Sequence, residues 1–211
     1  MATLIIDRDL EQRLQAERQA TGADRYDEVW EGTYIMAPMA NNEHQKLATR
    51  LAGCLSNALG FDSDADVYAG VNVSDRVDDW TFNYRVPDVA VVLPGGVAQD
   101  CGTFIFGGPD FVIEIVSPND RSRDKFDFYA KIGVRELLLV ERHPWSLDLY
   151  RLRIASGGGG VLEAAGRCTV GDAAVVASSV LPLSFRLVSD SSKARPLIEV
   201  TTNPAQDRWQ V

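Results

Sequence analysis

A chain of 211 residues, 45% hydrophobic and 24% charged, has the make-up of an ordinary soluble domain and the length for one real core. Its formal charge of −9 argues against a broad, sequence-independent grip on DNA, though not against a local basic patch. No run nears the ~18 apolar residues of a membrane span, and "MATLIIDRDLEQ" turns charged too soon for a secretory signal. Cys54, Cys101 and Cys168 are scattered and lack metal-ligand spacing, so reduced thiols and a cytoplasmic setting are expected.

In chain order, residues 7–19 read as a short amphipathic helix with Leu10 and Leu14 on one side. "YDEVWEGTYIMA" (26–37) reads as two strands meeting at Glu31-Gly32, a hairpin turn. Over 43–59, Leu47, Leu51, Leu55 and Leu59 recur every fourth residue, the stripe of a buried helix face ended by Gly60. Asn41 or Asn42 would cap it and place Glu43 and His44 in its first turn. Strands are expected at 66–74, 86–93 and 111–117, then a helix over roughly 120–132 and a buried strand at 135–142. The alternation of "SLDLYRLRI" (146–154) predicts one wet face. "SGGGG" (156–160) reads as a flexible loop, since a phosphate-binding loop needs a following Lys-Ser/Thr. Beyond it the pattern is weak, and 180–188 is the best strand candidate. This order predicts an α/β or α+β domain, a mixed sheet flanked by helices, with strands 111–117 and 135–142 parallel.

Two carboxylates stand out. Asp88 interrupts the apolar run "VPDVAVVL", and Glu114 sits at the centre of "FVIEIVS", where an unpaired charge would cost several kcal/mol. Side by side they would repel by about 4 kcal/mol at ~4 Å and an effective dielectric of ~20. A divalent cation such as Mg²⁺ resolves this, and so does a nearby ammonium, for which Lys125 is the nearest candidate in sequence. Plainer readings stand beside it: Asp88 bonding a turn after Pro87, Glu114 paired with Arg85 or Lys125, and Lys125 as a snorkelling helix residue. Residues 117–135 carry Arg121, Arg123, Lys125, Lys131 and Arg135 against Asp120, Asp124 and Asp127, five positive charges to three negative.

The ordered set "EGTYIMAP…EH", "RVPDVAVV", "PDFVIEIVSP", "DKFDFYAKIGVRELLLVE" and "LDLYRL" resembles the Uma-two family, a branch of the PD-(D/E)XK nuclease superfamily. The resemblance implies a restriction-endonuclease-like core over 26–190, with 1–25 an N-terminal helical segment and 191–211 a C-terminal tail. It implies Mg²⁺ (or Mn²⁺) held by Asp88 and Glu114, and an endonuclease acting on DNA with Asp88, Glu114, Lys125 and Glu43 as catalytic residues. The sequence departs from the superfamily pattern at Val116, where a lysine should stand two residues after the acid; Lys125 takes that part from the following helix. Lys131, six positions on and about 600° around the helix, points elsewhere. Glu43 also has a plainer reading, a favourable charge at a helix N-terminus. His44 reads as a cap or core-edge residue before a ligand, Arg85 as orienting Asp88 or touching DNA, and Ser117 as a backbone partner at the strand end. Cleavage of both strands implies a homodimer, with the apolar segment around 175–188 as part of its interface. Rival functions are an inactive nuclease-fold protein serving as a dimeric DNA-binding or regulatory module, and a hydrolase of nucleotides or other phosphoesters.

Overall fold

Five consecutive buried residues, Phe111–Ile115, form the strand on which the architecture is centred. The computed structural model describes residues 8–118 and 121–211; positions 7 and 120, where helices were expected to begin, lie outside them. Helix α1 (Arg8–Thr21) leads to hairpin strands β1 (Glu28–Trp30) and β2 (Thr33–Ile35), then α2 (Asn42–Leu59). Short strands follow: β3 (Asp66–Tyr68), β4 (Val73–Ser74), β5 (Tyr84–Arg85), β6 (Val89–Val92), β7 (Gln99–Asp100) and β8 (Ile105–Phe106). The central β9 (Phe111–Ile115) precedes a 3-10 turn (Ser122–Lys125), α3 (Phe126–Ile132), β10 (Glu136–Arg142) and the long hairpin β11 (Trp145–Ile154) and β12 (Gly160–Thr169). The chain ends in β13 (Val176–Ala177), β14 (Leu183–Val188), β15 (Leu197–Thr202) and β16 (Arg208–Gln210).

The main sheet has the order β12-β11-β10-β9-β6-β3. It is mixed: β9 and β10 run parallel, as expected of two strands joined by a helix, and the other neighbours are antiparallel. Strand alternation sorts its side chains. Phe111, Ile113 and Ile115 point to one face with Leu138 and Val140, and pack on Leu47, Leu51 and Leu55 of α2. Val112, Leu137 and Leu139 point to the other and pack on Phe128 and Tyr129 of α3. Glu114 lies opposite Leu139 in the register, two residues from Val112, and so faces α3.

A second sheet, β2-β1-β5-β4-β8-β7, carries the hairpin. Its turn is tight because both central residues are left-handed, Glu31 at φ 47° and Gly32 at φ 79°. The strand expected over 66–74 is divided between the two sheets. Gly70, at φ 69°, breaks it, and the Tyr26 ring leaves no room for a side chain there.

The third sheet, β13-β14-β15-β16, corrects the expectation of a tail. Residues 191–211 supply two of its strands, and Ile198, Val200 and Val211 enter the α2-side core. Val176, Leu181, Leu183, Phe185 and Leu187 are buried in that same core, with Phe185 stacked on Phe111 at 5.9 Å. The apolar side of the segment expected at a dimer interface packs inside the chain, while Val175 at its start stays exposed. Strand β11 also differs: Ser146 and Asp148 are buried along with Leu147 and Leu149, because Ser146 donates to Asp148 at 3.0 Å and Arg167 pairs with Asp148 at 3.3 Å. Among the described residues all three cysteines are free, and no helix is long and apolar enough to cross a membrane.

Candidate active site

The antiparallel register Val89↔Ile113, continued by one residue, sets Asp88 beside Glu114 at the end of two central strands. Asp88 is held by one oxygen. Its Oδ2 accepts the Ile115 backbone N–H at 2.7 Å and faces His44 Nε2 at 3.0 Å. His44 is there because Asn41 caps α2, accepting the His44 backbone N–H at 2.9 Å and fixing the first turn. Asp88 Oδ1 has no hydrogen bond among the described residues, and the side chain is 16% exposed, so that oxygen is open to a ligand.

Glu114 is almost wholly enclosed. Lys125 Nζ donates to its two oxygens at 3.0 and 3.1 Å, and the Tyr129 hydroxyl donates to Oε1 at 2.5 Å. Lys125 and Tyr129 are four residues apart across the junction of the 3-10 turn and α3, so they present the same side to the sheet. The ammonium also meets Glu28 Oε1 of β1 at 2.8 Å. Glu28 in turn accepts the Val86 N–H at 2.8 Å and the Trp30 indole N–H at 2.6 Å.

The cluster is rich in negative charge, and the proton affinities show it. Burial pushes the Glu114 carboxyl above the ordinary carboxylate range; Asp88 and Glu28 push the same way, against Lys125 and Tyr129. Burial opposes the Lys125 charge, but Glu114, Glu28 and Asp88 together outweigh it and hold the ammonium protonated, above the ordinary lysine range. Burial, then the Glu114 and Glu28 charges, raise the Tyr129 hydroxyl well above its usual value. Both partners of the buried pair thus hold protons more tightly than usual, and a cation could take up the same excess of charge.

Of the residues singled out from sequence, Asp88, Glu114 and Lys125 come together, and Glu43 does not join them. Its side chain, 39% exposed, pairs with Arg142 at 3.1 Å and Arg195 at 3.5 Å. Lys131 pairs with Asp75 at 2.8 Å on an exposed surface. Arg85 neither touches Asp88 nor reaches the surface. It is buried between the rings of Trp30 and Phe128 and donates to the Val29 carbonyl at 3.0 Å. Ser117 accepts from Arg142 at 2.9 Å. Sequence reasoning passed over Glu28, Tyr129 and Arg142. The signal for Glu28 was slight: one carboxylate in a three-residue strand beside a turn reads as surface.

Among the described residues no three His, Cys, Asp or Glu side chains group closely enough to enclose a metal ion. Mg²⁺ does not ask for that, since it is commonly held by one or two carboxylates with water and substrate phosphate. Asp88 with its open oxygen and Glu114 beside it fit such a partial donor set.

A mixed sheet between helices, with two acids on adjacent central strands and a lysine from the 3-10 turn beside them, makes this an α/β protein with an acid–acid–lysine cluster at its centre. The family model described as "Putative restriction endonuclease", that of Uma-two, matches residues 10–185, and the chain belongs to this family. A crystal structure described as a "putative nuclease belonging to DUF820" from Anabaena variabilis is 20% identical, covers 59% of this chain and 71% of its own, and superposes with a TM-score of 0.49. No curated protein is significantly similar to the chain.

Proposed function

We propose that the protein is a Mg²⁺- or Mn²⁺-dependent endonuclease that hydrolyses phosphodiester bonds of DNA. The observation that carries this reading is the buried Lys125 ammonium on Glu114, next to an Asp88 carboxylate with one oxygen left open. Asp88 and Glu114 would hold the cation, which supplies charge neutralisation at the phosphate and a more acidic bound water. The Lys125 ammonium beside Glu114 would stabilise negative charge gathering on the phosphate. His44 and the Ile115 N–H fix Asp88 Oδ2 and leave Oδ1 directed to the ligand. Tyr129 fixes the Glu114 carboxylate. Cutting both strands of a duplex takes two such sites, and a two-fold dimer is part of this reading.

Supercoiled plasmid incubated with Mg²⁺, Mn²⁺ or chelator tests it. Metal-dependent nicking that Asp88→Ala removes is the expected result; equal nicking by the variant would overturn it. A second reading, a silent nuclease fold that binds DNA, is favoured by the way Lys125 and Tyr129 already occupy both oxygens of Glu114. Retarded DNA in a gel without nicking would decide for it, and light scattering gives the oligomeric state in either case.

A further inference from the structure

The Lys125 ammonium lies between two carboxylates, and the nearer one is not Glu114. Glu28 Oε1 stands at 2.8 Å, the Glu114 oxygens at 3.0 and 3.1 Å. A buried ammonium needs an anion beside it, and Glu114 would have to serve both it and a cation. Glu28 has no such second duty. Its two oxygens are pinned by the Val86 and Trp30 N–H groups, and the Trp30 ring is itself held between Arg85 at 4.5 Å and Arg121 at 4.2 Å. Val86 lies two residues before Asp88, so one carboxylate grips both the lysine and the backbone that leads to the other acid.

We infer that Glu28 is a positioning residue: it keeps the Lys125 ammonium in place when Glu114 turns to the cation. The inference rests on the nuclease reading above for its catalytic consequence, but not for its geometry. An ion pair of purely structural value would be indifferent to the state of Glu114. Glu28 in the positioning role matters most when Glu114 is engaged.

The test uses the full chain and three readouts. The first is the ammonium itself, followed by proton–nitrogen correlation spectroscopy of the lysine side chains, with the Lys125 signal assigned by its loss in Lys125→Met. In the native protein that signal should persist on adding Mg²⁺. In Glu28→Gln it should be shifted without metal and lost with it; a signal unchanged in both conditions overturns the inference. The second is Mn²⁺ calorimetry, in which Glu28→Gln should bind nearly as the native protein does, while Glu114→Gln weakens binding by at least about tenfold. An equal loss in both variants would make Glu28 a ligand and overturn the positioning role. The third is nicking: Glu28→Gln should lower kcat by about 10²-fold with KM little changed.

Should Glu28→Gln fail to fold, the pair Lys125→Met and Lys125→Met/Glu28→Gln replaces it, the double variant removing one charge of each sign from the cluster. Equal residual rates and equal Mn²⁺ affinities are expected there, and a further tenfold loss in the double variant counts against action through the lysine. A native protein that neither binds Mn²⁺ nor nicks DNA ends the nuclease reading alone. The metal-free spectra then still decide whether Glu28 holds the ammonium.

Discussion

At the scale of single residues, Glu114 is tolerated in the middle of a buried strand because an ammonium and a phenol meet it there. Removing the ammonium exposes what it does. On the proposed reading Lys125→Ala should cut plasmid nicking by about 10²–10⁴-fold, whereas Lys131→Ala, which loses only an exposed pair with Asp75, should nick like the native protein. Similar rates in the two variants would refute the assignment of the lysine. Tyr129→Phe should leave the fold intact and lower its stability by about 1–2 kcal/mol in urea, because a hydrogen bond to a buried carboxylate is lost with little change of volume. An unchanged urea midpoint would show that bond to contribute nothing. Asp88, Glu114 and Lys125 were legible in the sequence because a charge that interrupts an apolar run must be compensated. Glu28 was not, since its burial comes from the second sheet and from Lys125, which lies 97 positions away in the chain.

Among the elements, α2 was the most legible: the four-residue leucine stripe and the Gly60 stop stand as read, and of the two candidate caps Asn41 is the one used. The cap does more than end a helix. It fixes the turn that brings His44 to Asp88, and the same Asn41 oxygen meets Arg142 at 3.3 Å, which binds Glu43 and the Val116 carbonyl. Asn41→Ala should therefore cost about 1 kcal/mol of stability by thermal or urea unfolding, within the usual range for a lost cap. It should also raise the exchange rate of the His44 amide proton, and native-like protection there would argue that the cap is dispensable. Elements that depend on distant partners were harder to read. The strand over 66–74 is cut at Gly70 because Tyr26 packs there, and the helix expected over 120–132 is a 3-10 turn followed by seven α-helical residues. Local pattern carries neither fact, since one is a contact between remote residues and the other a choice between two helical geometries of similar spacing.

In the whole molecule, the α/β class and the parallel pairing of β9 with β10 could be read from the order of elements, whereas the third sheet could not. Its β14 lies within the strand expected at 180–188, but the apolar faces of this sheet make sense only against Phe111 and α2. What fastens this sheet to the main one is Glu136, a buried carboxylate at the start of β10. It accepts from Arg151 at 2.7 Å, from the Ser178 hydroxyl at 2.5 Å, and from the Ser179 backbone and hydroxyl at 3.0 and 2.7 Å. Burial alone would raise its pKa, but these four donors outweigh burial and hold it below the ordinary 4.5. A carboxyl more acidic in the folded than in the unfolded chain adds stability that is fully present above about 4.5 and is lost as pH falls through the lower, folded value. Glu136→Gln keeps the shape and cannot titrate. The variant should be less stable than the native protein by about 2–3 kcal/mol in urea at pH 7, as expected for hydrogen bonds to a buried charge. The gap should narrow below about pH 4.5, where the unfolded chain takes up the proton before the native carboxyl does, and level off once both hold it. Other carboxylates that titrate in acid, Asp75 with its pKa lowered to about 2 among them, are common to both proteins and cancel in the difference. A gap that stayed constant from pH 7 to pH 3 would mean that the clip holds by shape and not by charge.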